Sequence, residues 1–214
     1  MADVFEYRGV EELVMAEVTG DDNETEGGYK TGNVEPLAPV AEIGKTVEVS
    51  NESKYYDNKP LFNISGEGPD TITINCAGLT LEKLAKITGR SIDKATGALI
   101  EGPRKTRYFA IGYKTKDTDG KYRYVWRLKG TFNIPDDTAR TEDAGTETNN
   151  TTLTYTGIYT THKFAKGVLN DDGNTWEPAS AKAVVVSDRE GLADVTNFFK
   201  NVTTPDDLKA KAAS

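Results

Sequence analysis

The chain has 214 residues, 36 % of them hydrophobic, and a formal net charge of −8. This length suits one well-buried domain, or one domain with long appendages, and the aromatic content excludes full disorder. Because duplex DNA is densely negative, the acidic balance argues against a protein that grips nucleic acid.

The N-terminal third combines acidic and alternating stretches. Residues 10–18 predict a strand or a helix, because their apolar positions alternate while Glu, Leu, Met and Ala favour a helix. The acidic residues 20–30 predict a solvated loop, since they lack the spacing of an EF-hand. Residues 46–51 predict the first clear strand, and residues 52–60 are too polar for core and predict a protruding loop.

The next segment, residues 71–77, alternates between apolar and small polar side chains. A strand places successive side chains on opposite faces, so one face is predicted to be dry and the other wet. A helix follows, with Thr80 as its N-cap and Gly89 as its stop. The lone cysteine, Cys76, excludes a disulfide framework and predicts a small buried side chain.

The middle of the chain predicts a hairpin. Strands are expected at residues 108–113 and 122–128, joined by an Asp-Gly turn at residues 117–120. Residues 151–160 predict the longest alternating strand.

The C-terminal part predicts a short buried strand at residues 184–186, a second helix near residues 191–201 and a tail at residues 205–214 that is loose or becomes helical only on docking. We therefore predict a single domain over residues 1–214. It has an extended N-terminal segment, a C-terminal tail and long loops at about residues 20–45, 52–65 and 135–150.

Catalytic motifs are missing from the sequence. The single histidine, His162, follows a predicted strand and is interpreted as a surface residue, and no nucleophile elbow, zinc-ligand pair or phosphate loop accompanies it. Paired carboxylates such as Asp171 and Asp172 fall in predicted turns, which disfavours glycosidase chemistry. We expect no enzyme, no cofactor and no metal site.

Long loops, polar sheet faces and an acidic balance instead indicate an assembly subunit, because open sheet edges can close on one another in a ring. The start of the chain lacks the regions of a signal peptide, and no apolar run approaches membrane-spanning length. We expect folding in the cytoplasm and no membrane partner.

The order of the elements carries a resemblance. Residues 9–19 resemble an early strand that runs into an acidic turn, and residues 46–59 a long hairpin with an aromatic, Asp/Asn-rich tip. Residues 72–89 resemble its return strand and flanking helix, and residues 107–113 and 122–130 the hairpin that follows. Taken together, these elements resemble the major tail tube proteins of long-tailed, non-contractile bacteriophages, especially those that infect Gram-positive hosts.

This resemblance implies a mainly β subunit, an antiparallel sandwich or barrel-like fold with one flanking helix. Six copies would form a ring, and stacked rings would form a tube in the virion tail. The tube would enclose the tape measure protein, meet the tail terminator and distal tail proteins, and pass DNA without binding it. The chain departs from the shorter family pattern in residues 20–30 and in the 135–150 loop.

Two sets of residues are predicted to serve such a tube. An acidic or neutral wall repels phosphate, so polar strand residues are the lumen candidates, although each is equally an ordinary solvent-facing position. The lumen candidates are Glu42, Glu48, Ser50, Glu52, Thr71, Thr73 and Asn75. Aromatics and long loops are candidates for contacts between rings and between subunits. The contact candidates are Tyr55, Tyr56, Asp57 and the 138–149 loop from Thr138 to Asn149.

A second function class fits the same sequence. A soluble β-sandwich that binds carbohydrate or decorates a capsid would show the same alternation and few catalytic residues. Exposed aromatics such as Tyr55, Tyr56 and Trp176 would then line a sugar site.

Overall fold

A computed structural model describes residues 4–23, 28–135 and 150–211. Within these ranges the chain is mainly β, with strands over about half of its length and one α-helix. The contact candidates Thr138 and Asn149 lie outside the described residues. The strands are β1 Tyr7–Asp21, β2 Tyr29–Thr31, β3 Glu35–Pro36, β4 Val40–Tyr56, β5 Lys59–Cys76, β6 Ser91–Ile92, β7 Leu99–Ile100, β8 Phe109–Asp117, β9 Tyr122–Phe132, β10 Thr151–Gly157, β11 Phe164–Leu169, β12 Trp176–Ala179 and β13 Ala183–Ser187, and the helix α1 is Leu81–Thr88.

The strands form one nine-stranded antiparallel sheet and two small hairpins. Its main order is β2-β1-β8-β9-β10-β5-β4, with β3 paired to β1 and β13 paired to β9. One edge of β9 changes neighbour along its length: residues 123–127 pair with β13 and residues 130–132 pair with β10. The predicted mainly β, barrel-like fold class is confirmed, as a curled half-barrel sheet.

The sheet curls around an inner core. Side chains from β1, β8, β9, β10 and β5 meet there with Ile87 of α1, and Val40 and Ile43 of the edge strand β4 pack against the same cluster. Because strands from opposite ends of the sheet order share one cluster, the sheet must bend around it. Cys76 is fully buried in this cluster, as predicted.

A second, outer core covers the other face of β1, β8 and β9. Trp126 is fully buried there, and its Nε1 donates a hydrogen bond to the carbonyl oxygen of Phe198 at 2.8 Å. Phe198 and Val202 come from the C-terminal segment, which lies across the sheet.

The predicted second helix at residues 191–201 is wrong. This segment forms turns, and the nearest helical element is a short 3-10 helix at Pro205–Asp207. The carbonyl of Phe198 accepts bonds from Trp126 and from the hydroxyl of Thr203, and the backbone N–H of Asp194 donates to Lys209. Tertiary partners have therefore taken groups that an α-helix would pair internally.

The predicted first helix is confirmed with both of its ends. The Thr80 hydroxyl accepts a hydrogen bond from the N–H of Lys83, and Gly89 adopts the left-handed conformation with φ of 68°. Glycine carries no Cβ penalty there, which is why it terminates the helix. The Asp-Gly turn between β8 and β9 is confirmed as well, with Gly120 at φ of 79°.

Residues 52–65 differ from the predicted loop. They are the far half of a long hairpin in which β4 and β5 pair as far as Tyr56 and Lys59. Asp57 and Asn58 close it with φ of 49° and 60°, the left-handed pair that a two-residue hairpin turn requires. Likewise, the predicted 20–45 loop contains β2, β3 and the start of β4, while β10 ends at Gly157 and is shorter than predicted. No helix in the described part of the chain is long and apolar enough to cross a membrane.

Candidate functional site: a bare polar sheet face and a projecting hairpin

The outward surface of the large sheet is divided. Over β1, β8 and β9 it is covered by the outer core, whereas over β10, β5 and β4 it is open to solvent. Strand alternation gives the open part a uniform chemistry of hydroxyl, amide and carboxylate groups. We call this surface the polar face, and it consists of Glu42, Thr46, Glu48, Ser50, Glu52, Thr71, Thr73, Asn75, Thr152, Thr154 and Thr156.

The ladder register shows that these side chains share one side. Directly opposed residues of an antiparallel pair point to the same face. Thr71 is opposite Thr46 on β4 and Thr156 on β10, and Asn75 is opposite Glu42 and Thr152. Alternation along β4 then carries the same face to Glu48, Ser50 and Glu52. The structure therefore brings all the lumen candidates onto one surface.

Hydrogen bonds link side chains across this face at the end away from the hairpin tip. The Asn75 side-chain amide donates to a Glu42 carboxylate oxygen at 3.1 Å, and the Thr152 hydroxyl donates to the Asn75 amide oxygen at 2.8 Å. Lys54 lies on the same side of β4 near the hairpin tip, where its ammonium pairs with Glu52. The face therefore offers few free cationic groups to a polyanion.

The hairpin extends past the end of the sheet. The ladder between β10 and β5 ends where Gly157 meets Asp70, so residues 48–69 continue beyond that point as β4 paired with β5. We call residues 48–69 the arm. Exposed apolar side chains are concentrated at its far end, where the Tyr56 and Phe62 rings stack 6.0 Å apart. The exposed apolar residues of the arm are Val49, Tyr55, Tyr56, Leu61, Phe62 and Ile64.

A buried charge cluster lies at the base of the arm. Asp70 is 1 % exposed, and its carboxylate lies 3.1 Å from Lys45 Nζ, 3.2 Å from an Arg127 nitrogen and 3.3 Å from Lys182 Nζ. The Lys182 ammonium also pairs with Glu67 Oε1 at 2.8 Å. We call these five residues the basal cluster, which joins both strands of the hairpin to β9 and to the segment before β13.

Two members of the basal cluster, Glu67 and Lys182, have shifted pKa values. The hydrogen bond from Lys182 lowers the pKa of Glu67 below its ordinary value. Burial by itself would lower the pKa of Lys182, but hydrogen bonds to Glu67 and Asp70 outweigh burial and raise it. Both pKa shifts favour the charged forms of Glu67 and Lys182.

Sequence reasoning missed the basal cluster, although a signal was present. Asp70 has the same strand parity as Ile72, Ile74 and Cys76, all of which are fully buried. A carboxylate on the dry side of an alternating strand requires a cationic partner. The same parity argument applies to Lys45, whose neighbour at position 43 packs against the inner core.

Other candidate positions have ordinary structural roles. His162 is half-buried, with Nδ1 2.9 Å from the Asp22 carbonyl oxygen and its ring edge-on to Phe164. Asp171 and Asp172 lie in the turn between β11 and β12, where Asp172 accepts bonds from its own turn. Within residues 4–23, 28–135 and 150–211, no group of three or more His, Cys, Asp or Glu side chains is arranged to hold a metal ion.

No family model matches the chain, and no curated protein matches it by sequence.

Proposed function

We propose that the chain is the structural subunit of a bacteriophage tail tube, in which rings of six copies stack into a hollow conduit. The observation that carries this proposal is the polar face, which lies on the outward side of a sheet whose last strand, β4, has one edge without a paired strand among the described residues. The proposed tube encloses the tape measure protein and passes genomic DNA during ejection. The tail terminator and distal tail proteins are its proposed partners at the two ends, and the virion tail is its proposed location.

The free edge of β4 supports assembly through the sheet. Within the described chain, β4 pairs with β5 on one side and ends the main strand order on the other. An exposed strand edge presents unpaired N–H and C=O groups that another copy can satisfy. Head-to-tail contacts of this kind close into rings when the rotation between copies allows it.

The chemistry of the polar face supports its assignment to the bore. Glu42, Glu48 and Glu52 repel phosphate, while the threonine hydroxyls hold water without a strong point attraction. The one lysine on this side of β4 in the described chain, Lys54, is paired with Glu52, so a polyanion close to such a wall meets little positive charge.

The arm supports contacts between rings. Tyr55 and Tyr56 are 68 % and 57 % exposed at its end, beside the turn residue Asp57. Aromatic residues are enriched in interfaces because they bury a large area with few rotatable bonds. We therefore assign the tip of the arm to the contact with the next ring.

The first experiment is negative-stain electron microscopy of the concentrated protein, with light scattering to measure mass. Rings or tubes are expected. A monodisperse monomer at every concentration would contradict the proposal, and glycan affinity of that monomer would favour a carbohydrate-binding module, for which the exposed Trp176 on β12 is the candidate contact.

The second experiment reverses charge on the polar face, with Glu48→Lys and Glu52→Lys together. The matched control places Glu6→Lys and Glu82→Lys at exposed positions outside that face. Particles assembled with the first variant are expected to deliver DNA less efficiently than particles with the control. Normal tails with normal delivery would remove Glu48 and Glu52 from the bore.

A further inference from the structure

The arm has little packing to hold it in one direction. No residue of the arm belongs to either buried core cluster of the described chain. On the arm side of Asp70, β5 no longer pairs with β10. An isolated two-stranded ribbon is marginally stable in water and has no intrinsic orientation relative to the body that carries it.

The base of the arm contains a backbone irregularity. Val47 is opposite Asp70, but Val49 is opposite Glu67, so β5 contributes an extra residue at this point. The stretch 66–70 reads Gly-Glu-Gly-Pro-Asp, with glycine at two positions. Bulges and glycines are where paired strands bend most easily.

One side chain spans this irregularity. The Lys182 ammonium donates to the carbonyl oxygen of Gly68 at 2.5 Å and to Glu67 Oε1 at 2.8 Å, both in the arm, and to Asp70 Oδ1 at 3.3 Å, at the edge of the sheet. Its ammonium also lies 4.7 Å from the centre of the Tyr159 ring, and the Tyr159 hydroxyl donates to Glu67 Oε2 at 3.3 Å. Lys182 is 9 % exposed and directly precedes β13, which pairs with β9, so its backbone is anchored in the sheet.

We propose that Lys182 is a clamp that fixes the direction of the arm relative to the sheet, and that the arm turns about residues 66–70 when this clamp is removed. All three protons of the ammonium have acceptors, two of them on the arm and one on the body. Hydrogen bonds to a charged group are the stronger kind, and partial burial protects them from solvent. The direction of the exposed tip is thereby set before any partner is met.

Lys182→Met tests the clamp without dismantling the basal cluster. Methionine keeps most of the apolar stem, and Asp70 keeps Lys45 and Arg127 as partners. Spin labels at Ser53→Cys in the arm and Lys121→Cys in the β8–β9 turn report the distance between arm and sheet. Both positions are exposed, whereas Cys76 is fully buried and stays unlabelled.

With Lys182 in place, the distance between the two spin labels is expected to show one narrow distribution. Loss of the charged hydrogen bonds in Lys182→Met is expected to raise the population of displaced arms by about tenfold or more. Lys54→Met is the matched control, because it makes the same substitution within the arm but removes an exposed pair with Glu52; its distribution is expected to stay narrow.

A narrow, unshifted distribution in Lys182→Met would overturn the proposal. If that variant fails to fold, Glu67→Ala decides, since Glu67 is exposed and its loss removes one of the two arm acceptors of Lys182 together with the bond from Tyr159, while Asp70 is left unchanged. Broadening supports the clamp, and an unchanged distribution rejects it. The measurement uses the dispersed chain, so its result does not depend on whether copies form rings.

Discussion

The buried carboxylate of Asp70 lies 3.2 Å from an Arg127 guanidinium nitrogen, at the point where β9 exchanges β13 for β10 as its neighbour. Arg127 lies on the inner face opposite Ile111 of β8, two residues after Val125, and a bulge in β9 follows between Arg127 and Gly130. This pair ties the root of the projecting hairpin to the centre of the sheet. The described structure therefore depends on a charge balance at a place where apolar packing is interrupted.

Removing the Asp70 charge is expected to destabilise the whole domain. Asp70→Asn leaves the buried Arg127 without this anionic partner and leaves Lys182 with Glu67 alone, which should lower the free energy of unfolding by about 3–5 kcal/mol. Urea denaturation followed by tryptophan fluorescence measures the change. Glu101→Gln, which breaks the pair between the exposed Glu101 carboxylate and Arg90, should cost at most about 1 kcal/mol. Equal losses in the two variants would show that the basal cluster is not a stabilising centre.

Gly130 is expected to tolerate no side chain. A Cβ added there would lie 2.4 Å from both the Thr156 carbonyl oxygen and the Tyr155 ring, and the Tyr155 hydroxyl is fixed by a 2.8 Å hydrogen bond to the Phe109 carbonyl oxygen. Gly130→Ala should therefore lower the free energy of unfolding by about 1–3 kcal/mol.

The matched control for this prediction is Gly44→Ala, because a Cβ at Gly44 meets nothing within 4 Å. Its effect should stay within about 0.5 kcal/mol. Chemical denaturation of both variants provides the comparison, and a stable Gly130→Ala protein would mean that β9 and β10 can separate at this point without penalty.

The acid limb of the stability curve is expected to depend on Asp117. Burial alone would raise the pKa of Asp117, but hydrogen bonds from Arg189 and from the N–H groups of Lys121 and Asp119 outweigh burial and lower it from its ordinary value of 3.8. A lowered native pKa stabilises the fold above the ordinary value, and this contribution is lost as the pH falls through the native pKa. Asp117→Asn should thus flatten the fall in stability below about pH 4.

This pH dependence can be measured by thermal unfolding between pH 6 and pH 2 in steps. Asp171→Asn, at an exposed turn position, is the control and should leave the acid limb unchanged. If the stability of Asp117→Asn falls with decreasing pH as steeply as that of the parent protein, other carboxylates dominate acid unfolding.

The tip of the arm is expected to affect assembly without affecting the fold. Tyr55→Ser with Tyr56→Ser removes exposed aromatic surface outside both buried cores, so the unfolding midpoint should change little. The proposed contact between rings should weaken, raising the protein concentration needed for tube growth in light scattering. Tubes that form at the parent's concentration would remove the tip from this contact.

Local patterns were sufficient for the elements whose signals lie within a few residues. Thr80 and Gly89 mark the ends of α1 because capping uses hydroxyl and backbone groups that are close in sequence. The alternation at residues 71–77 placed Ile72 and Ile74 in the core and Thr71 and Thr73 outside it. Asp57 and Asn58, by contrast, carry a turn signal that polar composition conceals, so composition alone predicts a loop at residues 52–65, whereas the resemblance implies a hairpin over residues 46–59.

The sequence by itself determined the strand periodicity, the capped helix and the shared polar side of β4 and β5, because these follow from alternation and neighbouring backbone groups. Only the tertiary structure decided that residues 191–201 form turns. The Phe198 carbonyl oxygen accepts a hydrogen bond from Trp126, which is far away in the sequence. The tertiary structure also decided that Asp70 meets Lys45, Arg127 and Lys182, because a charge cluster depends on which strands become neighbours. Strand order is a long-range property, and no local pattern encodes it.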